Sequence, residues 1–211
     1  ALSLDLDSTG AITDDGTADV TVTNLADFAG TSVTVDDTMN FGSLTFNSAG
    51  AVVVAEDSAT ALSGTSTALS VDLDSTGAIT QTGTLTVSGV SDFAVGANAI
   101  TLDQANDFQG AVSLSNSGAN DVTIDDANNV EFGTVSIAAG NLNVDAVGTI
   151  TQSGVMSVGG NSVFDNEDGS NAAITLINGS NVFTGTVTFT TDSGSDVSIT
   201  DTTALDLVAL T

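Results

Sequence analysis

Carboxylates are the only side chains of this chain that ionise near neutral pH or bind a hard metal ion. Its 211 residues include 27 Asp and Glu but no Lys, Arg, His, Cys or Tyr. The chemistry open to such a set is narrow. Clustered carboxylates can supply the roughly six to eight oxygens that calcium takes. Asp165, Glu167 and Asp168, followed by the turn-permitting Gly169, form the densest cluster and are the expected calcium ligands, if the chain holds that ion. A solvated acidic loop is the simpler reading of the same residues. Asp5–Gly10 and its copy Asp72–Gly77 begin like an EF-hand loop but depart from it. Their fifth position is Thr9 or Thr76, and the twelfth, Gly16 or Gly83, is not the bidentate Glu.

Paired carboxyls can also hydrolyse glycosides. That chemistry needs one carboxyl of raised pKa in a shaped cleft, usually lined by aromatic rings, and Trp and Tyr are absent. Without Cys or His there is no thiolate or imidazole metal site and no Ser-His-Asp nucleophile. The expectation is a chain that is not an enzyme and has no cofactor beyond calcium. A net charge of -27 repels nucleic acid, anionic lipid and acidic polysaccharide alike. No window approaches the roughly 18 apolar residues of a membrane helix, so no membrane insertion is expected. With 41% hydrophobic residues and a mean hydropathy of +0.30, the chain should nonetheless fold.

Those carboxylates sit in repeats. LSLDLDSTGAIT at Leu2–Thr13 recurs as LSVDLDSTGAIT at Leu69–Thr80 and, more weakly, as LNVDAVGTIT at Leu142–Thr151, dividing the chain into blocks of about 1–68, 69–141 and 142–211. VTVDD from Val33 returns as VTIDD from Val122, with echoes from Val52 and Val197. The second block holds an extra unit around Ile100–Ser115, as though whole units are inserted or deleted. Asp36-Asp37, Glu56-Asp57 and Asp125-Asp126 follow equivalent strands, so they are expected to line one edge of the molecule and gather cations there.

Within each unit apolar and small polar residues alternate at period two, as in Val33-Val35, Leu85-Val87, Ile100-Leu102 and Val187-Phe189. Gly, Asn, Asp and Ser punctuate the runs, and no segment has a helical period; the pattern predicts half-buried strands joined by turns. A sandwich gives no reason for near-copies at fixed intervals, whereas a solenoid stacks equivalent positions and tolerates inserted turns. The expectation is an all-β, right-handed parallel β-helix spanning residues 1–211, of nine or ten rungs. Each rung takes about 20 to 24 residues, and at roughly 4.8 Å per rung the rod is about 45 Å long. Val, Ile and Leu columns fill it, with Phe28, Phe41, Phe93, Phe108, Phe132, Phe164 and Phe183 in the wider gaps. Absent Pro agrees, because each rung must donate backbone N–H groups to its neighbour.

GAITQTGTLTVSG at Gly77–Gly89, GTITQSGVMSVGGN at Gly148–Asn161 and NDFQGAVSLSNSGANDVTI at Asn106–Ile124 together resemble the repeats of filamentous-haemagglutinin-like and autotransporter adhesins of bacterial surfaces. The resemblance implies a parallel β-helix, secretion, and a part in adhesion, matrix or filament building. One departure is the absence of the Lys, Arg and Tyr that such repeats usually contain. The expected role is a segment of a longer extracellular fibre or adhesin stalk, its partners being neighbouring repeats or copies of itself end to end, with divalent cations between them. A calcium-dependent or ice-binding adhesion module is the alternative, the latter from Thr pairs such as Thr84-Thr86, and a neutral-glycan hydrolase is a lesser one. Asn178-Gly179-Ser180 is a sequon for N-glycosylation.

Overall fold

The computed structural model describes residues 2–166, 169 and 171–211. Every strand pairing in it is parallel, and among the described residues there is no helix. The chain coils into a β-solenoid of about ten turns, the all-β architecture that the alternating pattern predicts. Partners across neighbouring turns stand from 17 residues apart (Met39 with Glu56) to 25 (Ser157 with Val182). In the regular stretches each strand pairs with the third strand after it, so one turn lays down three sides.

The sides can be followed by their inward residues. The first carries Leu4, Ala26 and Leu44 in succession, and later Val130, Ile150, Ile174 and Val197. Along the second run Ile12, Val33, Val52, Val71, Ser91 and Val112, and after a register shift Val135 and Met156. On the third lie Thr60, Ile79, Ile100, Val122, Leu142, Ser162, Val187 and Leu207.

Repeat and turn are not the same length. From Ile12, three turns along the second side reach Val71, and the equivalent residue Ile79 lies one side further on. From Ile79, three turns along the third side reach Leu142, and Ile150 again lies one side further. Each repeat therefore occupies three and a third turns, and its copies face successive sides. The unit that looked inserted shifts the second block without lengthening it: 89 residues separate Val33 from Val122, 22 more than separate Ile12 from Ile79, because VTIDD stands two turns after Ile79 where VTVDD stands one turn after Ile12.

Alternation sends one set of side chains inward. Val122 and Ile124 are fully buried, with Thr123 between them on the outer surface. The seven phenylalanines expected in the interior are all buried, joined by Phe46 and Phe189. They pack edge to face in Phe28–Phe41, Phe93–Phe108 and Phe164–Phe183, while Phe164 stacks on Phe189 at 5.6 Å. Each buried Val, Leu or Ile contributes roughly 1.5 to 3 kcal/mol, which lets a column of dozens hold the rod without disulfides.

Candidate functional site: the corner carboxylates

Where the chain turns from one side to the next, the parallel ladder breaks and leaves a backbone N–H without its carbonyl. The four VTVDD-like segments answer this in one way. Their fifth residues, Asp37, Glu56, Asp126 and Asp201, each turn a carboxylate into the corner. Asp37 Oδ2 accepts from the N–H of Ala18 at 2.9 Å, and Glu56 Oε1 from that of Phe41 at 2.9 Å. Asp126 Oδ2 accepts from Phe108 at 3.1 Å, and Asp201 Oδ1 from Phe183 at 3.1 Å. Every one of these bonds reaches back across the stack to the preceding turn. Three of the acids also bind their own turn, taking hydrogen bonds from the Asn128 N–H, the Ser58 hydroxyl and the Thr203 hydroxyl.

Amides fill the same office elsewhere. Asn106 Oδ1 accepts from the Leu85 N–H at 2.9 Å and Asn181 Oδ1 from the Met156 N–H at 3.0 Å. Each is paired to a glutamine of the GAITQ-type turns, Gln81 or Gln152.

The corner acids differ in environment. Asp126 is fully buried and Glu56 is 2% exposed. Burial pushes Asp126 up to about 6, against the lowering pull of the Asn128 and Phe108 N–H groups and with some help from Asp107 and Asp125. Burial likewise raises Glu56, opposed by its hydrogen bonds, and its second oxygen Oε2 is buried without a partner. For Asp201, slight burial is outweighed by bonds from the Thr203 hydroxyl and the N–H groups of Phe183, Thr203 and Thr202, which hold it below the usual range.

The expectation that Asp36-Asp37, Glu56-Asp57 and Asp125-Asp126 share one edge is corrected in part here. Asp37, within the long Val33–Ser48 strand, and Glu56, ending Ala51–Glu56, follow the second side one turn apart, whereas Asp126 ends a strand of the third and Asp201 follows one of the first. The extra third of a turn carries Asp126 and Asp201 to new corners. The carboxylates that do stack are outward-facing ones: Asp125 beside Asp145 and Asp145 beside Asp165 on the third side, Asp72 beside Asp92 on the second, and Asp5 beside Asp27 on the first. Burial and then neighbouring carboxylates raise Asp27, Asp92, Asp125 and Asp145.

Of the expected calcium ligands, Asp165 ends a strand of the third side, whereas Glu167 and Asp168 lie outside the described residues. Among the described residues, Asp14, Asp36 and Asp37 bring carboxylate oxygens within 4.8 Å of one another. Asp14 Oδ2 accepts the N–H groups of both Asp36 and Asp37, at 2.7 and 3.2 Å. Asp14 escapes sequence reasoning because it stands a full turn before its partners. Its one signal is the pairing of Thr13 with Thr34.

No curated protein and no solved structure matches the chain. Two stretches, residues 49–115 and 119–190, match a family described as repeats of unknown function (DUF5649). They open just before Val52 and Val122, the strands that lead into the corner acids Glu56 and Asp126. Together the matches cover about two thirds of its length, and the chain belongs to this family of repeats.

Proposed function

We propose that the chain is a structural, non-enzymatic rod, one stretch of a secreted bacterial surface fibre, adhesin stalk or extracellular filament that extends end to end. One observation carries this reading: a single all-parallel stack runs from Leu4–Asp7 to Asp206–Leu210, so the strand at either end can accept another in the same ladder. Leu2 and Leu6 at one end, and Leu205, Leu207, Val208 and Leu210 at the other, remain exposed. A further turn stacked there would bury them. The first end also opens into a hollow of about 620 Å³ whose lining mixes apolar residues such as Leu4, Ile12, Phe28 and Met39 with Asp14 and Asp15. A net charge of -27 keeps rods apart sideways, and the lack of Lys and Arg leaves trypsin nothing to cleave. Negative-stain images of the concentrated protein are expected to show threads of constant width. Isolated short particles at every concentration would reject assembly between copies.

A second reading, a calcium-dependent module, is favoured by the close approach of Asp14, Asp36 and Asp37. Specific sites would raise the melting midpoint with calcium by mass action. Sodium at equal ionic strength giving the same rise would leave only screening.

A further inference from the structure

We infer that the stacked carboxylates and the two buried corner acids, Glu56 and Asp126, make this rod acid-tightened: its turns hold together more firmly when these groups are protonated and loosen as they ionise. The geometry lies in the third side. Asp125 and Asp145 are side by side on adjacent strands. Asp103 follows Leu102, the partner of Ile124, and so precedes Asp125 in the same row. Neighbouring strands lie roughly 4.8 Å apart, well inside a Debye length of about 8 Å at physiological salt. Just inside this row sits the buried Asp126, with Asp107 on the strand of the preceding turn and Asp125 on its own. The strand of the following turn sets Ala146 against Asp126 and contributes Asp145. Every ionisable side chain facing the group is thus a carboxylate, and the chain has no Lys, Arg or His to place among them. Glu56 repeats the arrangement at its own corner, buried beneath Asp57 and Asp74 in the hollow they line.

The direction follows from linkage. A carboxyl that titrates higher in the fold than in the open chain stabilises the fold fully below its ordinary value, and that contribution is lost as pH rises through the folded value. For Asp126 the loss runs from the ordinary 3.8 to about 6. Asp27, Glu56, Asp74, Asp92 and Asp125 are displaced in the same sense, each first by burial. The inference is independent of whether the rod forms fibres.

The test is calorimetry of the whole chain at pH 5 and pH 8, with chelator, constant ionic strength and two protein concentrations. The midpoint is expected to be higher at pH 5, by on the order of 5 °C or more, and to be the same at both concentrations. In Asp103→Asn/Asp125→Asn the pH 8 midpoint should rise and the gain on acidification shrink. Asp126→Asn should also shrink the gain, whatever its absolute midpoint. The exposed Asp19→Asn should keep the parent's gain. An equal or lower midpoint at pH 5 would overturn the inference. So would an unchanged gain in the double variant, a gain confined to the higher concentration, or a loss in Asp19→Asn as large as in the double variant, which would reduce the effect to net charge.

Discussion

Gln81 and Asn106 clasp each other through their side-chain amides, Nε2 to Oδ1 and Nδ2 to Oε1, both at 2.9 Å. Gln152 and Asn181 repeat the clasp at 2.9 and 2.7 Å. Both asparagines are buried, and each also serves the backbone: Asn106 takes the Leu85 N–H and donates to the Leu102 and Asp125 carbonyls, on three successive turns. Asn106→Ala strips one partner from each of these groups while leaving them buried. It is expected to cost about 2–4 kcal/mol, since an orphaned buried polar group loses its full solvation. Hydrogen exchange at the Leu85 amide reads the loss locally, and unchanged protection there would refute the assignment.

Asp201 should behave oppositely to Asp126. Its carboxyl lies below the ordinary range, so its contribution is present above the ordinary value and fades as pH falls through the folded one. Asp201→Asn is therefore expected to lower protection of the Phe183 amide at pH 7, with the gap closing below about pH 3.8. A gap of constant size down to pH 2 would mean that the charge plays no part.

Phe164 touches two rings, Phe183 with centroids at 6.1 Å and Phe189 at 5.6 Å, and is fully buried. Phe164→Ala should destabilise by about 3–5 kcal/mol through lost burial and the cavity left behind. Phe164→Leu should lose less than half of that. Denaturant titration with fluorescence-independent detection, such as circular dichroism, measures both, because the chain has no Trp.

Gly140 passes so close to the turn below it that a Cβ would strike the carbonyl of Asn120. Backbone must move on two adjacent turns to admit one methyl, and Gly140→Ala is expected to cost about 1–3 kcal/mol. Gly179→Ala, where a Cβ meets open space, serves as its control and should lie within about 0.5 kcal/mol of the parent. Comparable losses in the two would show that close stacking at Gly140 is not what matters.

The stack itself was legible in the amino-acid order, because the alternation in Val33-Thr34-Val35 or Ile100-Thr101-Leu102 has one physical meaning, a strand with one face inside. The near-copies of GAIT also gave the solenoid. Their spacing did not show how many turns a copy spans, since Ile12 and Ile79 look equivalent in order yet belong to different sides. That is why the acids of VTVDD and VTIDD were expected in one file and are found at separate corners. The partners of the corner groups were invisible for a related reason. Asp126 reaches Phe108, 18 residues back, and Gln81 reaches Asn106, 25 ahead, and no local spacing rule links such pairs. What the order did offer was a polar residue of fixed kind directly after an alternating run, at Glu56, Asp126 and Asp201.

A unit that advances by a third of a revolution beyond whole turns restores its starting orientation only after three copies, which here takes about ten turns. The chain is close to one full cycle of a threefold screw. Any flat surface laid against such a thread meets the same motif at every third copy, while the other two look elsewhere. Whatever these repeats present, they present it around the whole circumference, and a thread twisted about its axis by 120° would touch the world in the same way.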